Sequence, residues 1–123
     1  MTCRIRNLLY ACVFSSLVAV SLAPSALAHA ILVETSPAIH GKVKGPEVVI
    51  KLRFNVRVDA TRSRLSLVQP DGSSRPLPIA KQDKPDWLGS KASGLRAGSY
   101  RIRWQVLSSD GHITNGEIPF TVE

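Results

Sequence analysis

Beyond residue 28 this chain has no cysteine and no methionine, because Cys3, Cys12 and Met1 all lie at its start. A domain formed from the remainder has no disulfide to staple it and no soft sulfur donor for a metal. Its stability must come from a core, or from an ion held through nitrogen and oxygen. Aromatic residues make up only 6% of the chain, which leaves no broad aromatic surface for stacking on a flat substrate. Helical periodicity is missing too: no stretch past residue 28 repeats apolar residues at i, i+3 and i+4, so a helical bundle is excluded. Acidic residues are few, nine against sixteen Lys and Arg. The basic ones stand singly along strands, as at Lys51, Arg53, Arg101 and Arg103, and read as a solvated strand face, not as a nucleic-acid or lipid patch. Internal repeats, low-complexity tracts and linkers are also lacking.

The first residues are organised differently. A basic start (Arg4, Arg6), an apolar run from Leu8 to Ala23 and the small-residue ending Ser25-Ala26-Leu27-Ala28 predict a secretory signal peptide over residues 1–28. A membrane span is the rival reading. The run is interrupted by Ser15, Ser16 and Ser21 and stops at Pro24, at or below the roughly 18–20 residues a span needs. A lipoprotein would have to acylate Cys12, which follows too short an apolar stretch and has bulky Tyr10 nearby. The expected product is an exported domain, residues 29–123, with a formal charge of +5 once Arg4 and Arg6 are removed from the +7 of the whole chain. Its length suits one core, and the mature chain has no integral membrane span.

Within that domain, alternation of period two recurs. Ile50, Leu52 and Phe54 share one face and Lys51 and Arg53 the other; Tyr100, Ile102, Trp104 and Val106 oppose Arg101, Arg103 and Gln105. Similar runs occur at residues 30–34, 65–69, 75–80, 87–92 and 118–122, separated by Ser36-Pro37, Pro70-Asp71-Gly72 and Ala97-Gly98. About seven strands with regular turn signals predict an all-β, antiparallel sandwich or small barrel of immunoglobulin-like type. The polar loop 81–86 is expected to be the most mobile segment.

Three histidines remain after cleavage, and His29 becomes the first residue. A terminal histidine offers its α-amine and its own imidazole Nδ1 to one ion, closing a six-membered chelate ring that an internal histidine cannot form. The amine, with a reference pKa of about 7.7–8.0, loses its proton to a strongly binding metal near neutral pH at modest cost. A second pair lies in Asp110-Gly111-His112. Residues two apart in extended backbone point to one side, so Asp110 and His112 can converge, with Gly111 between them free to adjust. One amine, two imidazoles and a carboxylate make four N/O donors. That set suits square-planar Cu(II), which heads the first-row affinity order; Ni(II) follows, and Zn(II) prefers a tetrahedron. The expectation is one Cu(II) per chain at His29, Asp110 and His112, and no separate Cu(I) site, which would need sulfur. The bland alternative is a turn in which Asp110 bonds backbone N–H groups and His112 is solvated.

The stretches His29-Ala30-Ile31-Leu32-Val33-Glu34-Thr35-Ser36-Pro37-Ala38, Leu95 to His112 (which contains G-x-Y-x-x-x-W-x-V-x-S-x-D-G-H) and Gly116-Glu117-Ile118-Pro119-Phe120-Thr121-Val122 resemble the CopC family of periplasmic copper-binding proteins. The resemblance spans essentially the whole expected mature chain. It implies an immunoglobulin-like Greek-key barrel and a cupric site at His29, Asp110 and His112. Some family members carry a methionine-rich loop for cuprous ion, which this chain lacks. Some carry a Glu shortly after the Phe of the second strand, where this chain reads Phe54-Asn55-Val56. Members are often encoded with, or fused to, a multi-spanning CopD-type protein, so the resemblance implies an inner-membrane copper transporter as partner.

Other residues are expected to be structural: His40 an exposed loop histidine, Trp104 a core residue, Trp87 partly exposed, and Glu117 a solvent-facing strand residue in preference to a hydrogen-bond partner of a ligand imidazole. The leading functional expectation is a periplasmic Cu(II)-binding protein without enzymatic turnover, serving copper homeostasis or resistance. Two rivals are a copper oxidoreductase of the histidine-brace type found in polysaccharide monooxygenases, in which Asp110 would occupy a position that O₂ needs open, and a metal-free structural or adhesive sandwich.

Overall fold

The computed structural model describes residues 29–123; the signal peptide expected over residues 1–28 lies outside them. Eight strands form two sheets packed face to face. They are β1 (Leu32–Ser36), β2 (Gly41–Val43), β3 (Val48–Phe54), β4 (Arg64–Val68), β5 (Ser74–Leu77), β6 (Trp87–Ala92), β7 (Gly98–Leu107) and β8 (Ile113–Val122), with one 3-10 turn at Ala60–Arg62. One sheet runs β1-β3-β6 and the other β2-β8-β7-β4-β5. Every pairing is antiparallel except that of β2 with β8. The immunoglobulin-like expectation holds, with one strand more than the pattern suggested.

The alternation in β3 and β7 does what period two requires: one set of side chains enters the space between the sheets and the other faces water. Val48, Ile50, Leu52 and Phe54 of β3 meet Tyr100, Ile102, Trp104 and Val106 of β7 in a core completed by Leu65, Leu67, Leu88, Ile118, Phe120 and Val122. Each large side chain so buried contributes about 1.5–3 kcal/mol. Trp104 stands edge-on to Phe54, ring centroids 5.3 Å apart, and its indole packs against Gly116, where a Cβ would come within 2.5 Å of the ring. Tyr100 stacks on Phe120 and donates its hydroxyl hydrogen to the Arg96 carbonyl at 2.9 Å, an arrangement typical of the corner between strands in such sandwiches.

Outward-facing basic residues are partly paired. Arg53 binds Glu34 at 2.8 Å, and Arg101 and Arg103 share Glu117 at 3.1 and 2.8 Å. Such exposed pairs contribute only about 0–1 kcal/mol each. Glu117 is therefore a strand-surface residue, and no imidazole is its partner. Trp87 is half-buried, with the Arg53 guanidinium 5.9 Å from its ring centre.

Three local expectations need correction. β2 was not anticipated: three residues show no alternation, and the strand exists because β8 supplies its ladder at Gly41–Phe120 through Val43–Val122. β8 begins at Ile113, not Ile118, because β7 continues to pair through Thr114-Asn115-Gly116. The loop 81–86 is stitched down. Gln82 Nε2 reaches the carbonyls of Val58, Pro85 and Trp87 at 3.1–3.3 Å, and Phe54 and Val58 donate their N–H groups to Asp86 and Pro85.

Candidate metal centre

The paired strands β7 and β8 end together, and the loop joining them carries Asp110 and His112. Ser108 donates its N–H to the His112 carbonyl at 2.9 Å, and Gly111 donates its own to the Ser108 carbonyl at 3.0 Å. Gly111 has φ +86° with open space around its α-carbon, the left-handed conformation that glycine adopts without steric cost. The backbone here is a tight turn. The expected convergence of Asp110 and His112 is observed, but curvature produces it, not the extended geometry anticipated from their spacing.

Side chains complete the turn. Asp110 Oδ1 accepts from the Ser108 hydroxyl in a short hydrogen bond and from the His112 N–H at 3.0 Å. Its other oxygen, Oδ2, faces His112 Nδ1 at 3.0 Å. The carboxylate is therefore divided, one oxygen building the loop and the other aimed at the imidazole. The Ser108 hydroxyl, then the His112 N–H, hold the Asp110 carboxyl down to about 2. Ser108 itself is 3% exposed and also bridges to Val58, in the segment between β3 and β4. It shapes the candidate site, and the sequence reading did not single it out. Its only signal was its place in the S-x-D-G-H string.

His29 arrives from the other sheet. Ala30 is buried, and the His29 ring stands edge-on to that of His112, centroids 4.9 Å apart at 69°. Two contacts fix its neighbours: Asn55 with Ile31, and the Thr114 hydroxyl with the Ala30 carbonyl at 3.3 Å. Among the described residues no three His, Cys, Asp or Glu side chains already stand as a finished metal cage. Asp110 and His112 are a formed pair, and His29 is beside it. The backbone nitrogen of His29 is an amide as long as the chain continues through Ala28.

The 3.0 Å between Asp110 Oδ2 and His112 Nδ1 is that of an imidazole–carboxylate hydrogen bond, and it is also close to the roughly 2.9 Å that separates two cis donors each about 2.0–2.1 Å from one ion. His40 does not join them. Exposed, with φ +59° and its N–H on the Pro119 carbonyl, it sits near the far end of β8, roughly 20–25 Å along the strand from His112 at about 3.3 Å per residue. A hollow of about 1000 Å³ on the five-stranded sheet, lined by Arg64, Ser66, Arg103, Trp104 and Asn115 among others, includes none of the three donors.

The CopC domain model matches residues 32–123. The chain belongs to the CopC family. Asp110 and His112 lie inside the matched segment, and His29 stands three residues ahead of it. The crystal structure of CopC from Methylosinus trichosporium OB3b is 38% identical, with a TM-score of 0.72 over 77% of this chain and 94% of that one. PcoC, a methionine-rich copper resistance protein from Escherichia coli, is 29% identical, with a TM-score of 0.65 over 78% of this chain and all of that one. Copper resistance protein C of Xanthomonas campestris pv. juglandis is 33% identical over 87% of this chain and 91% of its own. Against the second of these the difference is compositional: the only methionine here is Met1.

Proposed function

We propose that this member of the CopC family is exported to the periplasm, cleaved after Ala28, and there binds one Cu(II) through the amine and Nδ1 of His29, the imidazole of His112 and Asp110 Oδ2. The mature domain, residues 29–123, is a binding module that buffers or carries copper in copper homeostasis or resistance. It performs no turnover, and it delivers its ion to a separate inner-membrane transporter of the CopD type. The observation that carries this reading is the spacing of Asp110 Oδ2 and His112 Nδ1, with the His29 ring against the same imidazole. The donor set is hard to borderline and contains no sulfur, which supports the cupric ion over the cuprous. Delivery rests on resemblance alone, and engagement of a reconstituted transporter by the copper-loaded protein tests it.

Intact mass of the protein recovered from the periplasm, measured natively with and without one equivalent of Cu(II), tests the core of the proposal. The expected species begins at His29 and retains one copper. A terminus elsewhere removes the amine, leaves an ordinary Asp and His pair, and overturns the four-donor site.

A further inference from the structure

Residues 29–31 precede β1, so no strand ladder holds them, and chain ends without such support fray. Two side chains replace the ladder, one from each sheet. Asn55, directly after β3, accepts the Ile31 N–H on Oδ1 at 2.7 Å and donates its own backbone N–H to the Ile31 carbonyl at 3.0 Å. Both polar backbone groups of Ile31 are thereby satisfied by one residue. On the opposite side the hydroxyl of Thr114, on β8, meets the Ala30 carbonyl at 3.3 Å. Thr114 is two residues from His112 and Ile31 two residues from His29, so the clasp ties both histidine-bearing segments across the seam of the sandwich. The buried Ala30 side chain seats the segment between them.

We infer that Asn55 and Thr114 are positioning residues for the amino-terminal copper ligand, holding residues 30 and 31 so that His29 faces His112 before the ion arrives. This rests on the reading of His29 as a ligand. A ligand held in place loses less freedom when it binds, so the ion is released more slowly from a preorganised site. Neither residue is a ligand itself. Because Asn55 is exposed, water competes for its bonds, and the expected effects are moderate.

The test uses the mature protein in two forms. In the metal-free form, exchange of the Ile31 amide hydrogen is followed by NMR. In the Cu(II) form, the dissociation rate is measured against a chelator, and the electron paramagnetic resonance spectrum reports the ligand set. Asn55→Ala is expected to speed Ile31 exchange at least about tenfold and copper release about three- to tenfold, with a second, less nitrogen-rich spectral species. Asn55→Asp keeps the acceptor and is expected to restore Ile31 protection. It is judged on exchange alone, since its added charge acts on the cation directly. Thr114→Val, which keeps the side-chain shape, is expected to speed release about twofold and serves if Asn55→Ala folds poorly, whereas Thr114→Ser is expected to match the parent. Release rates unchanged in both Asn55→Ala and Thr114→Val, with copper tightly held by the parent, overturn the positioning role alone. A parent protein that holds no copper overturns the site and this inference together.

Discussion

A histidine lies in a turn with a positive φ near each end of the β7–β8 pair, His40 between β1 and β2 and His112 in the β7–β8 loop, and the two turns are chemically unlike. At one end His40 itself adopts φ +59°; its backbone is tied to Pro119, its ring is exposed, and no carboxylate accompanies it in the turn. At the other end Gly111 takes the left-handed position at φ +86° without steric cost, so His112 itself need not adopt it. A buried serine splits the duties of the neighbouring carboxylate, and a second imidazole stands 4.9 Å from the first. What separates the two histidines is their surroundings: His112 has a carboxylate oxygen 3.0 Å from its Nδ1 and a second imidazole beside it, and no carboxylate shares the turn of His40.

The sharpest way to break this contrast is to remove each end in turn. Asp110→Ala or His112→Ala is expected to reduce retained Cu(II) from one per chain to a trace by native mass spectrometry, and His40→Ala to leave it unchanged. Loss of copper on His40→Ala would mean that the wrong end has been assigned.

Next in size is the terminus. Adding one glycine ahead of His29 converts the amine to an amide and is expected to weaken Cu(II) binding by about a hundredfold or more in a competition titration. Equal affinity would show that the imidazoles and Asp110 suffice.

Ser108→Ala sharpens the comparison through stability. Removing a buried hydroxyl that holds an ionised carboxylate is expected to cost about 1–3 kcal/mol in denaturant unfolding of the metal-free protein at neutral pH. The pH dependence has a definite sign. Asp110 lies at about 2 in the fold and near 3.8 unfolded, so its contribution is fully present above about pH 4 and fades as pH falls through about 2. The gap between parent and Ser108→Ala is therefore expected to narrow on acidification from pH 6 to pH 2.5. A gap that is constant or widens would mean that the hydroxyl acts on packing and not on the carboxylate.

Gly116→Ala should act on the fold with little effect at the site. Its Cβ would press on the Trp104 indole, and overpacking of this kind costs about 1–3 kcal/mol, so a lowered Tm with a near-parental copper affinity is expected.

The legibility of the molecule divides along the same line. β3 and β7 could be read directly because each alternation places a whole set of side chains on one face, a local signal repeated over several residues. β2 could not, since its three residues are a strand only by virtue of β8, and the first half of β8 fell outside the run read at 118–122 because Gly116 answers to Trp104 across the ladder, not to its own neighbours. Loop 81–86 looked mobile from its polarity, but the Gln82 side chain and the backbone carbonyls of Pro85 and Asp86 bond to Phe54 and Val58. At the candidate site the three donors were legible as residue types in a telling pattern; Ser108, Asn55 and Thr114 were not, because serine, asparagine and threonine occur in every loop and only their partners distinguish them.

By itself the sequence determined the strand faces, the core residues, the absence of sulfur beyond residue 28 and the three candidate donors, because those properties belong to side-chain chemistry and short-range periodicity. Only the tertiary structure decided that the β7–β8 turn curls Asp110 toward His112, that Ser108 claims one carboxylate oxygen and leaves the other, and that the start of the domain is drawn across the seam of two sheets to meet them. Those outcomes depend on hydrogen bonds between residues as far apart as Ala30 and Thr114, which no local pattern encodes.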